Sequence, residues 1–269
     1  LVLYATFLKK VYDDSFRSAL NAAGALIPDS LLNGFVGGQL ISSLLAVSCV
    51  TVAFCSNLLM IKDKTSGAIH DLTITPVRRG ILGLGYYLST LVSTLIINFS
   101  ALAVCLVYQY SVGWYLTFAD ILLVILDIFL LTMFGTALSS CINFFLSSDG
   151  QASAVGTIVS SGYGFICGAY MPISNFGSTL QKILSFLPGT YGTALLRNHV
   201  LRGSLDEMKK LGFPDEVTKS IGDSVDCSIS FFGHDVSLGG MYAVLVVSTL
   251  LLICVYTVFN IVVSRKVKK

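Results

Sequence analysis

Long, nearly uninterrupted apolar stretches recur along this chain, and they decide its solvent before any motif is considered. A helix needs about 20 predominantly apolar residues to cross a hydrocarbon core of roughly 30 Å. Such stretches run from about Leu31 to Ile61, Ile81 to Tyr108, Asp120 to Phe145, Ala152 to Met171 and Gly240 to Val263. With 54% hydrophobic and 12% charged residues and a mean hydropathy of +0.80, the chain lies far from soluble usage, where about a quarter of residues are charged. The pattern predicts an all-α, polytopic transmembrane helical bundle forming a single domain over residues 1–269. Leu1 to Leu8 is apolar and ends at Lys9 and Lys10, which reads as the tail of a truncated first span and brings the expected number of spans to six. Asp29 and Ser30 are placed to cap the helix that follows.

Lys and Arg in short loops mark the cytoplasmic side. Residues 62–79 carry Lys62, Lys64, Arg78 and Arg79, and the tail carries Arg265, Lys266, Lys268 and Lys269. The turn holding Tyr110, Trp114 and Tyr115 carries none. The expected arrangement therefore has the 62–79 loop, the 147–151 link and the C-terminus inside the cell membrane. The aromatic turn and the 172–239 segment, with a charged portion over 202–239, face outward.

Several function classes fall away. A net charge of +2 without a basic face gives no nucleic-acid footprint. No G-x-x-x-x-G-K-[ST] phosphate loop and no H-E-x-x-H occurs, and His70, His199 and His234 lie outside the apolar stretches, so neither a catalytic site nor a cofactor or metal site is expected on the chain. Cys49, Cys55, Cys105, Cys141, Cys167 and Cys254 sit in apolar stretches, with Cys227 alone in a polar one, so no disulfide framework is expected. Gly162, Tyr163 and Gly164 form the triplet of potassium-channel filters, but in the middle of a continuous apolar run. Gly162, Gly164 and Gly168 fit better as a helix-packing face. Asp127 is the ionisable residue clearly inside a span, roughly 10 Å from its outer end. An acid at that depth is a functional candidate, although a hydrogen-bonded structural carboxyl fits equally well.

The 62–79 loop begins charged, alternates apolar and polar residues and ends at Pro76 before Arg78 and Arg79. That suits an interfacial helix offering Ile69 and Leu72, three residues apart, to a partner. Gly67, Ile69, Leu72, Thr75, Pro76, Val77 and Arg79 fit the loop preceding the third helix of ABC-2 type transporter permeases, with His70 where a glutamate is common. Gly168 to Ile173, including Pro172, is similar to that family's end of the fifth helix. Leu187, Pro188, Thr190 and Tyr191 resemble its external L-P-x-T-Y segment. The resemblance covers essentially the whole chain. It implies the membrane-spanning subunit of an exporter, paired with a second permease copy or a related permease, embedded in membrane lipid and driven by two ABC ATPase subunits that hold ATP and Mg. It also implies that the 62–79 loop, with Gly67, Ile69, His70, Leu72, Thr75, Pro76, Arg78 and Arg79, docks on the ATPase. Re-entrant external helices, including Pro172, Leu187, Pro188 and Tyr191, would lie between spans five and six. The cargo implied is a drug, lipid or peptide of amphipathic or hydrophobic character. A secondary transporter or channel is the alternative.

Overall fold

The computed structural model of the protein describes residues 28–69, 71, 79–231 and 233–266, with the backbone alone for Arg79 and residues 263–266. The expected truncated span at residues 1–8 lies outside them. Helix α1 (Asp29–Ser56) starts after Pro28, whose carbonyl accepts the amides of Leu31 and Leu32. Asp29 and Ser30, expected as caps, stand inside the first turn, where Asp29 suits the positive end of the helix dipole. Helix α2 (Leu58–Thr65) follows after Asn57. Gly67, at φ 82°, ends it in the left-handed conformation that glycine adopts without steric cost.

Helix α3 (Arg79–Val112) and helix α4 (Phe118–Asn143) are joined through the aromatic turn. Helix α4 starts with a reciprocal cap: Thr117 Oγ1 accepts the Asp120 amide at 3.3 Å, and Asp120 Oδ2 accepts the Thr117 amide at 3.0 Å. Helix α5 (Asp149–Ile166) is capped by Ser148. It ends five residues earlier than the apolar stretch suggests, because the chain reverses at Gly168, φ 75°, and the Tyr170 amide donates back to the Gly164 carbonyl at 2.9 Å. After a 3₁₀ turn at Ile173–Asn175 come helices α6 (Ser178–Leu184), α7 (Pro188–Lys210) and α8 (Asp215–Ser224). A two-residue hairpin, β1 (Ser230–Phe231) with β2 (His234–Asp235), pairs Ser230 with Asp235. Helix α9 (Leu238–Lys266) closes the described chain.

Among the described residues, four helical segments are long and apolar enough to cross a membrane: Asp29–Thr65, Gly80–Val112, Phe118–Asn143 and Leu238–Val262. Helix α5 is diluted by Ser, Gly and Thr and is not one of them. Large apolar side chains on α3 and α9, such as Ile96, Val107, Val247 and Leu251, are exposed. In water such a surface would be a liability; against lipid tails it is the expected exterior.

Contacts between helices fix their directions. Ser48 of α1 donates to Asn98 of α3 at 2.8 Å, while Asn57 donates to Ser139 and Ser140 of α4 at 3.2 and 3.1 Å. Together with Gln109 of α3 donating to the Gly34 carbonyl at 2.8 Å, these make α1 antiparallel to α3 and parallel to α4. Helix α7 packs among α1, α4 and α9, and its residues Leu195, Leu196, Val200 and Leu201 are buried in the core. Helix α9 runs parallel to α4, since Tyr242 meets Asp127 near their starts and Phe259 stacks on Phe144 at 5.6 Å near their ends.

Candidate functional site

Two ends of the bundle and one point within it collect the polar chemistry. At one end, Lys64 of α2 donates from Nζ to the carbonyls of Asn143, Phe144 and Leu146 at 3.3, 2.8 and 3.2 Å. These are carbonyls at the C-terminus of α4, which lack helical donors and attract a cation. The Tyr86 hydroxyl of α3 donates to Asp63 at 2.7 Å. The base of the 62–79 segment is thus pinned to α3, to α4 and to the start of the 147–151 link. Ile69 is half-buried and Gly67 exposed. Arg79 opens α3. His70, Leu72, Thr75, Pro76 and Arg78 lie outside the described residues.

At the other end, the L-P-G-T-Y stretch makes the joint between α6 and α7. Leu187 precedes α7 and Pro188 is its first residue, a position where a missing N–H costs nothing. The hydroxyls of Thr190 and Tyr191 donate to the Leu184 and Ser185 carbonyls at 2.9 and 2.7 Å, satisfying the end of α6. An added Cβ on Gly192 would meet Leu131, half-way along α4. Just beyond the joint, Arg197 is fully buried. It pairs with Asp226 at 3.3 Å and donates to the carbonyls of Gly168 and Ala169. Asp226 also accepts the amides of Ile173, next to Pro172, and Ser174. Burial pushes the Asp226 carboxyl up, while Arg197 and the two amides oppose that shift. The thiol of Cys227, also buried, is pushed up to about 12 by desolvation and is inert.

The expected packing face of Gly162, Gly164 and Gly168 is a different object in the structure. Gly168 stands beyond the end of α5, and its missing Cβ leaves room for Ile173 and Asp226. Gly164 accommodates the ring of Tyr170 from its own returning chain, and Gly162 has only Ile166 near it, at 3.9 Å. Gly164 and Gly168 therefore shape a chain reversal, while Gly162 meets no other helix of this chain among the described residues. Close helix contact falls instead on Gly135 of α4, against Val50 of α1.

Asp127 is 1% exposed, and it has partners that the sequence reading missed. His199 of α7 places Nδ1 2.6 Å from its Oδ2, and the Tyr242 hydroxyl of α9 donates to its Oδ1 at 2.6 Å. The His199 and Tyr242 rings also stack, 6.2 Å between centroids. His199 was expected to stand clear of the apolar spans; it is 3% exposed because α7 carries it into the core. The available signal was the run Thr190 to Leu201, whose small and apolar residues surround Arg197 and His199 on nearly every side.

Between α1, α3 and α5 lies a groove of about 550 Å³, lined by Val47, Thr51, Val52, Cys55, Ser56, Ile97, Ser160 and Tyr170. Its walls mix methyl groups with hydroxyls, a surface suited to an amphipathic molecule. No group of His, Cys, Asp and Glu fit to hold a metal occurs among the described residues.

The family model described as ABC-2 family transporter protein matches residues 26–265. No curated protein matches the chain.

Proposed function

The chain belongs to the ABC-2 transporter family, and we propose that it is the permease subunit of an ATP-driven exporter whose motor is a separate ATPase. In this reading the two ATPase subunits carry ATP and Mg, the permease works with a second copy or a related permease, and the cargo is an amphipathic or hydrophobic drug, lipid or peptide. The groove beside α1 and α5 supports that cargo class. The 62–79 loop and the C-terminus face the cytoplasm, in keeping with the positive charge they carry, and the 147–151 link lies on the same side. The layout is of six spans, with α6 and α7 as the re-entrant pair; the contact of Gly192 with the middle of α4 supports it.

The observation that carries the coupling role is the anchoring of Asp63 and Lys64. A push on the base of the 62–79 loop reaches α3 through Tyr86 and α4 through Lys64. Ile69 and Leu72 are the apolar docking pair. The test is the double variant Ile69→Asp with Leu72→Asp, checked first for normal membrane insertion. Co-purification of the ATPase should fall at least about tenfold, with loss of substrate-stimulated ATP hydrolysis. Unchanged association and stimulation would overturn the assignment and favour a secondary transporter, the reading to which the buried Asp127 cluster would otherwise lend weight.

A further inference from the structure

A carboxylate, an imidazole and a phenol meet inside the bundle where three helices join, and neither docking an ATPase nor lining the groove requires them. We propose that Asp127, His199 and Tyr242 form a proton-binding site that makes the α4–α7–α9 joint responsive to pH. With an ionised Asp127 and a neutral imidazole, His199 Nδ1–H and the Tyr242 hydroxyl both donate to the carboxylate, and the joint carries a full negative charge. Uptake of one proton, whether it rests on the imidazole or on the carboxyl, makes the joint neutral while keeping both hydrogen bonds. In surroundings that solvate charge poorly, this one-proton state is the compact one.

Among the described residues, no other charge is placed to take over the compensation. On α4 and α7 the next pair outward, Asp120 with Arg202 at 3.7 Å, is already matched. Arg197, two residues before His199, is held by Asp226. Helix α1 brings Cys49, whose thiol interacts electrostatically with Asp127, and α3 brings Cys105 and Tyr108 to the same half of the bundle. Thiols and phenols are neutral near pH 7. The ionisable residues of α8, Asp215, Glu216, Lys219 and Asp223, face solvent. Histidine is the side chain whose ordinary titration falls in the physiological range.

The chain holds three histidines, which makes the site directly observable. In the H70N/H234N variant, labelled with ¹⁵N-histidine and placed in lipid nanodiscs, His199 is the single imidazole. Its ring-nitrogen shifts should show one titration step between pH 5 and 9. Asp127→Asn, which removes the favourable negative charge, should move that step down by about one pH unit or more. Tyr242→Phe, which removes a hydrogen bond to the carboxylate, should move it up. Shifts that stay constant across the range, or a step that Asp127→Asn leaves in place, would overturn the proposal. The readout uses neither ATPase nor cargo, so its outcome is separate from that of the coupling-loop experiment.

Discussion

Gly135 has no side chain because α4 crosses α1 there: a methyl group would sit 2.9 Å from the Cys49 carbonyl oxygen and 3.0 Å from Val50 Cα. Backbone atoms cannot swing aside as a side chain can. Gly135→Ala is therefore expected to lower the stability of the detergent-purified protein by about 1–3 kcal/mol, whereas Gly162→Ala should be neutral within the single chain. Thermal unfolding of the two variants checks this, and an equal loss at Gly162 would return a close contact to the α5 face. Asp226 gives a larger expected effect. Asp226→Asn leaves a fully buried Arg197 without its counter-charge, which costs about 3–5 kcal/mol when a buried pair is broken on one side. A loss below about 1 kcal/mol in the same melts would mean that the Gly168 and Ala169 carbonyls suffice. The sequence made Asp127 stand out because a charge inside an apolar run has no local explanation. His199, Arg197 and Gly135 did not stand out, because their importance lies in what another helix places opposite them.

Helix α7 shows the same limit at the level of elements. The apolar stretches matching α1, α3, α4 and α9 were legible because lipid demands about 20 apolar residues in succession. The L-P-G-T-Y joint was also legible, since Pro188 can start a helix but cannot stand within one. Helix α7 itself has Arg, Asn and His among its leucines and ends in Asp206, Glu207, Lys209 and Lys210, so composition assigned it to the outside. Its first half is nonetheless core, with polar side chains matched by Asp127, Asp226 and backbone carbonyls, while its second half ends in exposed charge. Hydrogen exchange should reveal that division: amides from Leu195 to Leu201 should exchange far more slowly than those of α8. His199→Phe, which keeps bulk but loses the bond to Asp127, should speed exchange in the first half of α7, and His199→Gln should largely restore it. Identical exchange in the two variants would reduce His199 to a space-filling residue.

Across the whole molecule, the packing groups the loops into two sets before any membrane is considered. The base of the 62–79 segment touches the 144–146 turn through Lys64, and Phe144 stacks on Phe259 near the end of α9. These segments share one end. The aromatic turn meets α7 at the opposite end, where a Cβ on Gly203 would overlap the Tyr115 carbonyl, and Leu31, Phe35, Leu201, Met208, Val225 and Cys227 form their own apolar cluster beneath α8. The proposed topology rests on charge: the first set holds Lys62, Lys64, Arg78, Arg79 and the basic tail in short segments, while the second mixes acids and bases over a long one, where the positive-inside bias is weak. Single cysteines at Ser66 and Ser224, both exposed, report the two ends. In whole cells an impermeant thiol reagent should label position 224 and should reach position 66 only after permeabilisation. Background from Cys227 should be low because its thiol is buried and protonated, and Cys55 and Cys254, exposed within spans, are removed by substitution to alanine. Labelling of position 66 but not 224 in intact cells would invert the assignment. It would also place the 62–79 loop beyond the reach of any cytoplasmic ATPase, and the coupling role would fall with it.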